Sequence, residues 1–172
     1  MRRFHALAAG AASLLLVGTA APADAETRTR GDHVWESVPD RLDLMKVRWS
    51  YGEDRFVVAA HLDAVRRKDV LLHARSSHEG EGYEVEARTW WREGRKVDRL
   101  WIAYNTQERT RITCPGLESH WKRGDEGTIR ISVPNACLFD GAAMDDLRVV
   151  TSRSGSSEAI DRIVSRRSLT SG

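Results

Sequence analysis

Glu84, Glu86, Arg88 and Trp90 follow one another at every second position. In an extended chain that spacing puts all four side chains on one face, about 6.5–7 Å apart in succession. Two carboxylates on one face could flank a glycosidic bond as acid and base. An aromatic ring beside them would stack on a sugar. Arg99 and Trp101 repeat the cation–aromatic pair a little further on. Read as a hairpin, the segment sets Trp90 opposite Arg99 and Arg88 opposite Trp101. The two tryptophans then become diagonal neighbours, within reach of each other or of a shared ligand. The candidate binding residues are therefore Trp90, Trp101, Arg88, Arg99 and Glu86. The plainer alternative is that each tryptophan stacks on its facing arginine as a cation–π pair. For Glu84 and Glu86 it is a solvated, charged strand face.

Other chemistries find less support. The chain has no Gly-x-Ser-x-Gly elbow, and His61, His73, His78 and His120 are scattered. A triad assembles in space rather than in sequence, so scattered residues exclude little. Asp40 with Asp43, the loop His78–Glu81, and Asp145 with Asp146 could offer oxygen ligands to calcium. None has the spacing of an EF-hand or a zinc site. No catalytic residue, metal or cofactor is assigned. Lys+Arg is 27 against Asp+Glu 25, a net charge of +2, which argues against a nucleic-acid partner. Arg66-Arg67-Lys68 and Arg166-Arg167 read as solubilising runs.

The elements that position these residues are short strands. The 172 residues are 41% hydrophobic, enough for one packed domain. Val47, Trp49 and Tyr51 alternate with polar residues, Gly52-Glu53-Asp54 turns the chain, and Phe56, Val58, Ala60 and Leu62 alternate in return. Pairing Tyr51 with Phe56 places Trp49 opposite Val58 and Val47 opposite Ala60, so one apolar face closes on itself. Asp69–Arg75 is a third strand. Tyr83–Trp91 is the next, joined through Gly94-Arg95 to the one that follows. Glycine first in the turn predicts type II′, with Glu93 opposite Lys96, Thr89 opposite Leu100 and Ala87 opposite Ile102. Arg111–Cys114, Thr128–Val133 and Asp146–Ser152 complete about eight strands. The expected fold is all-β, a single antiparallel β-sandwich with barrel closure as the alternative.

The ends set the compartment. Residues 1–25 carry Arg2-Arg3, an apolar run over 6–20 and the small-x-small triplet Ala23-Asp24-Ala25. That is the pattern of a cleaved signal peptide, and the run is short for a retained membrane anchor. Cys114 and Cys137, the only cysteines, then meet an oxidising environment and predict one disulfide. Its loop of roughly 24 residues contributes about 3.4 kcal/mol through loop-closure entropy. Residues 26–39 read as an extended arm, 40–152 as the sandwich, and 153–172 as a Ser/Arg-rich tail. Ala159–Val164 in that tail could add an edge strand.

Several of these features occur together: an Ala-rich leader, Asp40-Arg41-Leu42-Asp43-Leu44 and Gly52-Glu53-Asp54. A late Val133-Pro134-Asn135-Ala136-Cys137-Leu138 completes them, paired with Cys114-Pro115-Gly116. Over roughly residues 40–150 the chain resembles a group of uncharacterised secreted β-sandwich proteins of high-GC Gram-positive bacteria. The resemblance implies fold and export and carries no activity. The expected function is that of a secreted, non-catalytic binding protein. Its expected partner is a polysaccharide or cell-envelope component. The alternatives are a small glycosidase-like hydrolase and a module that pairs with protein through a sheet edge.

Overall fold

The structure is a computed structural model that describes residues 26–31, 38–66, 71–78, 82–104, 108–138, 143–153, 156 and 158–170. The expected leader over 1–25, Trp35 and the acidic loop 79–81 lie outside the described residues. In chain order the strands are β1 (Glu26–Gly31), β2 (Leu44–Tyr51), β3 (Arg55–Val65), β4 (Leu71–His78), β5 (Tyr83–Arg92) and β6 (Arg95–Tyr104). They continue as β7 (Thr110–Ile112), β8 (Glu118–Lys122), β9 (Gly124–Pro134), β10 (Asp145–Ser152) and β11 (Asp161–Ser165). One sheet runs β1-β2-β3-β9-β8 and the other β11-β10-β4-β5-β6-β7. Every ladder is antiparallel.

The inner faces of the two sheets form one core. Val47, Trp49, Val58 and Ile131 meet Leu72, Val85, Leu100 and Val149, all buried. This is the antiparallel sandwich that the alternation predicts. The β2–β3 hairpin has the expected register, with Tyr51 against Phe56, Trp49 against Val58 and Val47 against Ala60. Cys114 and Cys137 are joined, Cα to Cα 5.6 Å, and lie just after β7 and β9 respectively. The bond therefore ties the two sheets together. Among the described residues, no helix is long and apolar enough to cross a membrane.

The second hairpin differs from expectation by two residues. Arg92 pairs with Arg95, so the central turn residues are Glu93 and Gly94. Both have positive φ, 52° and 75°, which is the type I′ arrangement. Glycine thus sits second in the turn, not first, and Gly94-Arg95 is not a type II′ turn. A two-residue slip keeps every side chain on its face and changes every partner. Ala87 faces Leu100, Thr89 faces Asp98 and Trp90 faces Val97.

Both ends of the described chain belong to the sandwich. Glu26–Gly31, expected as an arm, is the edge strand beside β2. Asp161–Ser165, within the expected tail, is the edge strand beside β10. Leu169 follows it, fully buried and bridged to Met144. Eleven strands are present among the described residues rather than about eight. Trp121, which the sequence leaves unplaced, is on β8. It meets Trp91 edge-to-face at 6.2 Å, and its Nε1 donates to Thr89 Oγ1 at 3.0 Å.

Candidate functional site

The outer face of the six-stranded sheet carries the candidate residues. Ladder registers set its rows. One row runs Arg162–Val150–His73–Arg88–Arg99. The next runs Val164–Arg148–Arg75–Glu86–Trp101–Arg111. Six strands at their usual spacing make the second row about 24 Å long. Trp90 lies one row above the first, between Leu71 and Val97.

All five residues singled out from sequence share this face, but their pairing is corrected. Trp90 is not opposite Arg99, and Arg88 is not opposite Trp101. Arg88 faces Arg99 directly, and Glu86 faces Trp101. Two like charges across a ladder repel. The two arginines relieve this by leaning apart along the diagonals. The Arg88 guanidinium lies 4.5 Å from the centre of the Trp101 ring, and that of Arg99 lies 5.3 Å from Trp90. Trp90 and Trp101 are therefore not diagonal neighbours. The arginine row separates them by about 13–14 Å along the strands, too far to grip one sugar ring. Each tryptophan is half-buried, and an arginine covers part of it.

Glu86 is the centre of the face. It lies on the outer side of the sheet yet is only 1% exposed, because cations close over it. Arg88 donates through Nε to Oε1 and through Nη2 to Oε2, both at 2.9 Å. Arg109 Nη1 donates to Oε2 at 2.8 Å, and its Nη2 reaches Glu84 Oε1 at 3.1 Å. His73 Nδ1 lies 2.6 Å from Oε1, and Arg75 Nε lies 3.6 Å away. Burial alone would raise this carboxyl's pKa. The hydrogen bonds from His73 and Arg88, with the charges of Arg75 and Arg88, outweigh it and bring the value down to about 2. Glu86 is thus a fixed anion with its lone pairs occupied. It has no proton to give near neutral pH, which is the opposite of what a glycosidase acid needs.

A Ser152–His73–Glu86 chain completes the site, with His73 Nε2 3.2 Å from Ser152 Oγ. The order hydroxyl–imidazole–carboxylate is that of an acyl-transfer triad. Here Ser152 is fully buried, and its hydroxyl also approaches the Ser156 carbonyl at 3.4 Å. It does not line the neighbouring cavity of about 180 Å³, which His73 and Glu86 do line. The chain holds the imidazole in place and presents no nucleophile to a substrate.

That cavity brings five arginines, at 75, 88, 109, 148 and 162, around the single acid Glu86. Glu86 saturates Arg88 and shares Arg109 with Glu84. Among the described residues Arg99, Arg111 and Arg162 have no side-chain acid partner. Sequence reasoning missed Arg75, Arg109, Arg148, Arg162 and His73. The outward parity of Arg75 on its strand was a usable signal. The long-range pairing of β4 with β10, and the return of Arg109 across β6, had none. No group of three His, Cys, Asp or Glu gathers as a metal site among the described residues.

Fold and site together define an antiparallel sandwich whose outer face presents guanidinium groups braced on tryptophan and on one buried carboxylate. Comparison with protein-family models, curated proteins and solved structures finds no match to this chain.

Proposed function

We propose that this is an exported, non-catalytic binding protein that takes an acidic polysaccharide or other anionic cell-envelope material on the outer face of β4–β6. One observation carries the reading. Arg99 stands between two half-buried tryptophans, stacked on Trp90, with no acid partner among the described residues. A stacked guanidinium is oriented, weakly hydrated and able to meet a carboxylate or phosphate with two parallel hydrogen bonds. The tryptophan edges supply apolar surface for the sugar rings between the charges. Export rests on the leader pattern over 1–25 and on the disulfide. The resemblance to secreted sandwich proteins of high-GC Gram-positive bacteria points the same way.

The test is retention on insoluble matrices. The exported form of the protein is applied to peptidoglycan, which carries carboxylates, and to neutral chitin and cellulose. The expected result is retention on peptidoglycan alone, weakened by salt and lost in Arg99→Gln and in Trp90→Ala/Trp101→Ala. Retention on the neutral matrices alone would replace the acidic ligand by a plain sugar-stacking one. Retention that neither variant alters would remove the site.

A further inference from the structure

A second basic feature lies away from the tryptophans, where the edges of the two sheets meet. β1 closes the five-stranded sheet, and β11 closes the other. Between them runs an open groove of about 850 Å³. Six arginines line it: Arg28 and Arg30 from β1, Arg148 from β10, Arg162 from β11, and Arg166 and Arg167 directly after it. Among the described residues Asp146 is the only acid in the lining.

The pairing within the groove leaves most of this charge uncompensated. Arg28 Nη2 bonds Glu26 at 2.7 Å, and Arg148 Nη2 reaches Asp146 at 3.4 Å. Arg30, Arg162, Arg166 and Arg167 have no side-chain acid partner among the described residues, and all four are exposed. Arg28 Nε and Arg148 Nε are buried without a hydrogen-bond acceptor. A charge on an edge strand ordinarily blocks edge-to-edge association. Six guanidinium groups around one cavity go well beyond that need. Their mutual repulsion is relieved when an anion enters, and each guanidinium fork matches a phosphate or carboxylate.

We propose that the groove between β1 and the β10–β11 edge binds a polymer bearing repeated phosphate or carboxylate groups, held by Arg30, Arg162, Arg166 and Arg167. The volume accommodates several such groups at once. Among the described residues no aromatic side chain lines the groove, so these offer no stacking platform for bases. The whole chain carries only +2, which gives a nucleic-acid duplex little long-range attraction. The groove shares Arg148 and Arg162 with the cavity beside Glu86. Arg162 stands at the opposite end of its row from Arg99, so groove binding stands whether or not the tryptophans bind glycan.

The experiment is a binding titration of the exported protein with three probes: a short polyphosphate, an oligogalacturonate and double-stranded DNA of matched charge. Each is measured at low and at physiological salt. Polyphosphate or oligogalacturonate should bind, and whichever is tighter names the oxyanion. Arg30→Gln/Arg166→Gln/Arg167→Gln should weaken binding at least about tenfold and lower the salt slope by about one per arginine. These side chains are exposed, so the variant should unfold at the wild-type temperature, and Arg162→Gln alone serves as a second check. Arg99→Gln should leave groove binding intact, which separates the two sites. Absence of binding to either polymer at low salt, equal binding by the triple variant, or preference for DNA would each overturn the proposal.

Discussion

Glu86 carries a charge that folding protects. In the folded chain its pKa is lowered from 4.5 to about 2, because His73 and Arg88 donate to it and Arg75 and Arg88 surround it. The sign follows directly. As pH falls, the unfolded chain takes up this proton first, so the ionised folded form loses its advantage. The stabilisation is complete above about pH 4.5 and disappears as pH falls toward 2. The shift corresponds to about 3 kcal/mol. Glu86→Gln leaves Arg75, Arg88 and Arg109 crowded without their counter-charge and should cost about 3–5 kcal/mol at pH 7. Chemical denaturation from pH 7 to pH 2 checks both statements. The wild type should lose stability across the acid window, and the variant should be weaker at pH 7 and flatter below pH 4.5. An unchanged acid limb in the variant would assign the window to other carboxyls. The sequence made the outward face of Glu86 legible through period-two alternation. It did not make the burial legible, because the covering side chains come from β4 and from beyond β6. No local pattern encodes that two strands will lie side by side.

At the scale of elements, a turn decides which partners meet. The first hairpin was legible by face and by partner: closing the chain at Gly52-Glu53-Asp54 with Tyr51 against Phe56 is the register it adopts. The second was legible by face and not by partner. Both the expected and the observed registers close the same apolar face, so alternation cannot choose between them. The choice falls to Glu93, which adopts φ 52° next to Gly94. A glutamate in the left-handed region is strained, whereas asparagine tolerates it and is favoured first in a type I′ turn. Its ion pair with Arg92 at 3.5 Å is largely exposed and contributes little. Glu93→Asn should therefore stabilise the protein by about 0.5–1 kcal/mol. A higher midpoint of thermal unfolding, with binding by Arg99 unchanged, is the expected result. A lower midpoint would mean that the glutamate side chain contributes more than its backbone costs. β8 was invisible for a different reason. Glu118–Lys122 is short and largely exposed, and its one inward polar residue, Ser119, bonds Asp98 and Thr89 instead of filling an apolar position.

At the scale of the whole molecule, the two chain ends hold the sandwich and the arginine groove together. Composition alone makes 153–172 resemble a loose tail, since serine and arginine dominate it. Two of its apolar residues nonetheless enter the core: Ile163 is 3% exposed and Leu169 fully buried. Asp161 Oδ2 also accepts the buried Leu44 N–H at 2.6 Å, joining the β11 edge to the start of β2. Removing everything after Arg153 would delete two buried side chains, at about 1.5–3 kcal/mol each. It would also orphan a buried backbone donor, at about 1–3 kcal/mol. The sum approaches the whole stability of an ordinary domain, about 5–15 kcal/mol. Truncation at Arg153 should therefore abolish cooperative unfolding and the near-ultraviolet signal of the buried Trp49, even with the Cys114–Cys137 bond intact. The same truncation removes Arg162, Arg166 and Arg167, so groove binding and folding should be lost together. The triple glutamine variant should lose binding alone. A truncated chain that unfolds at the wild-type temperature would make β11 an ornament of the sheet edge. The groove would then be a surface accident rather than a site built into the closure of the fold.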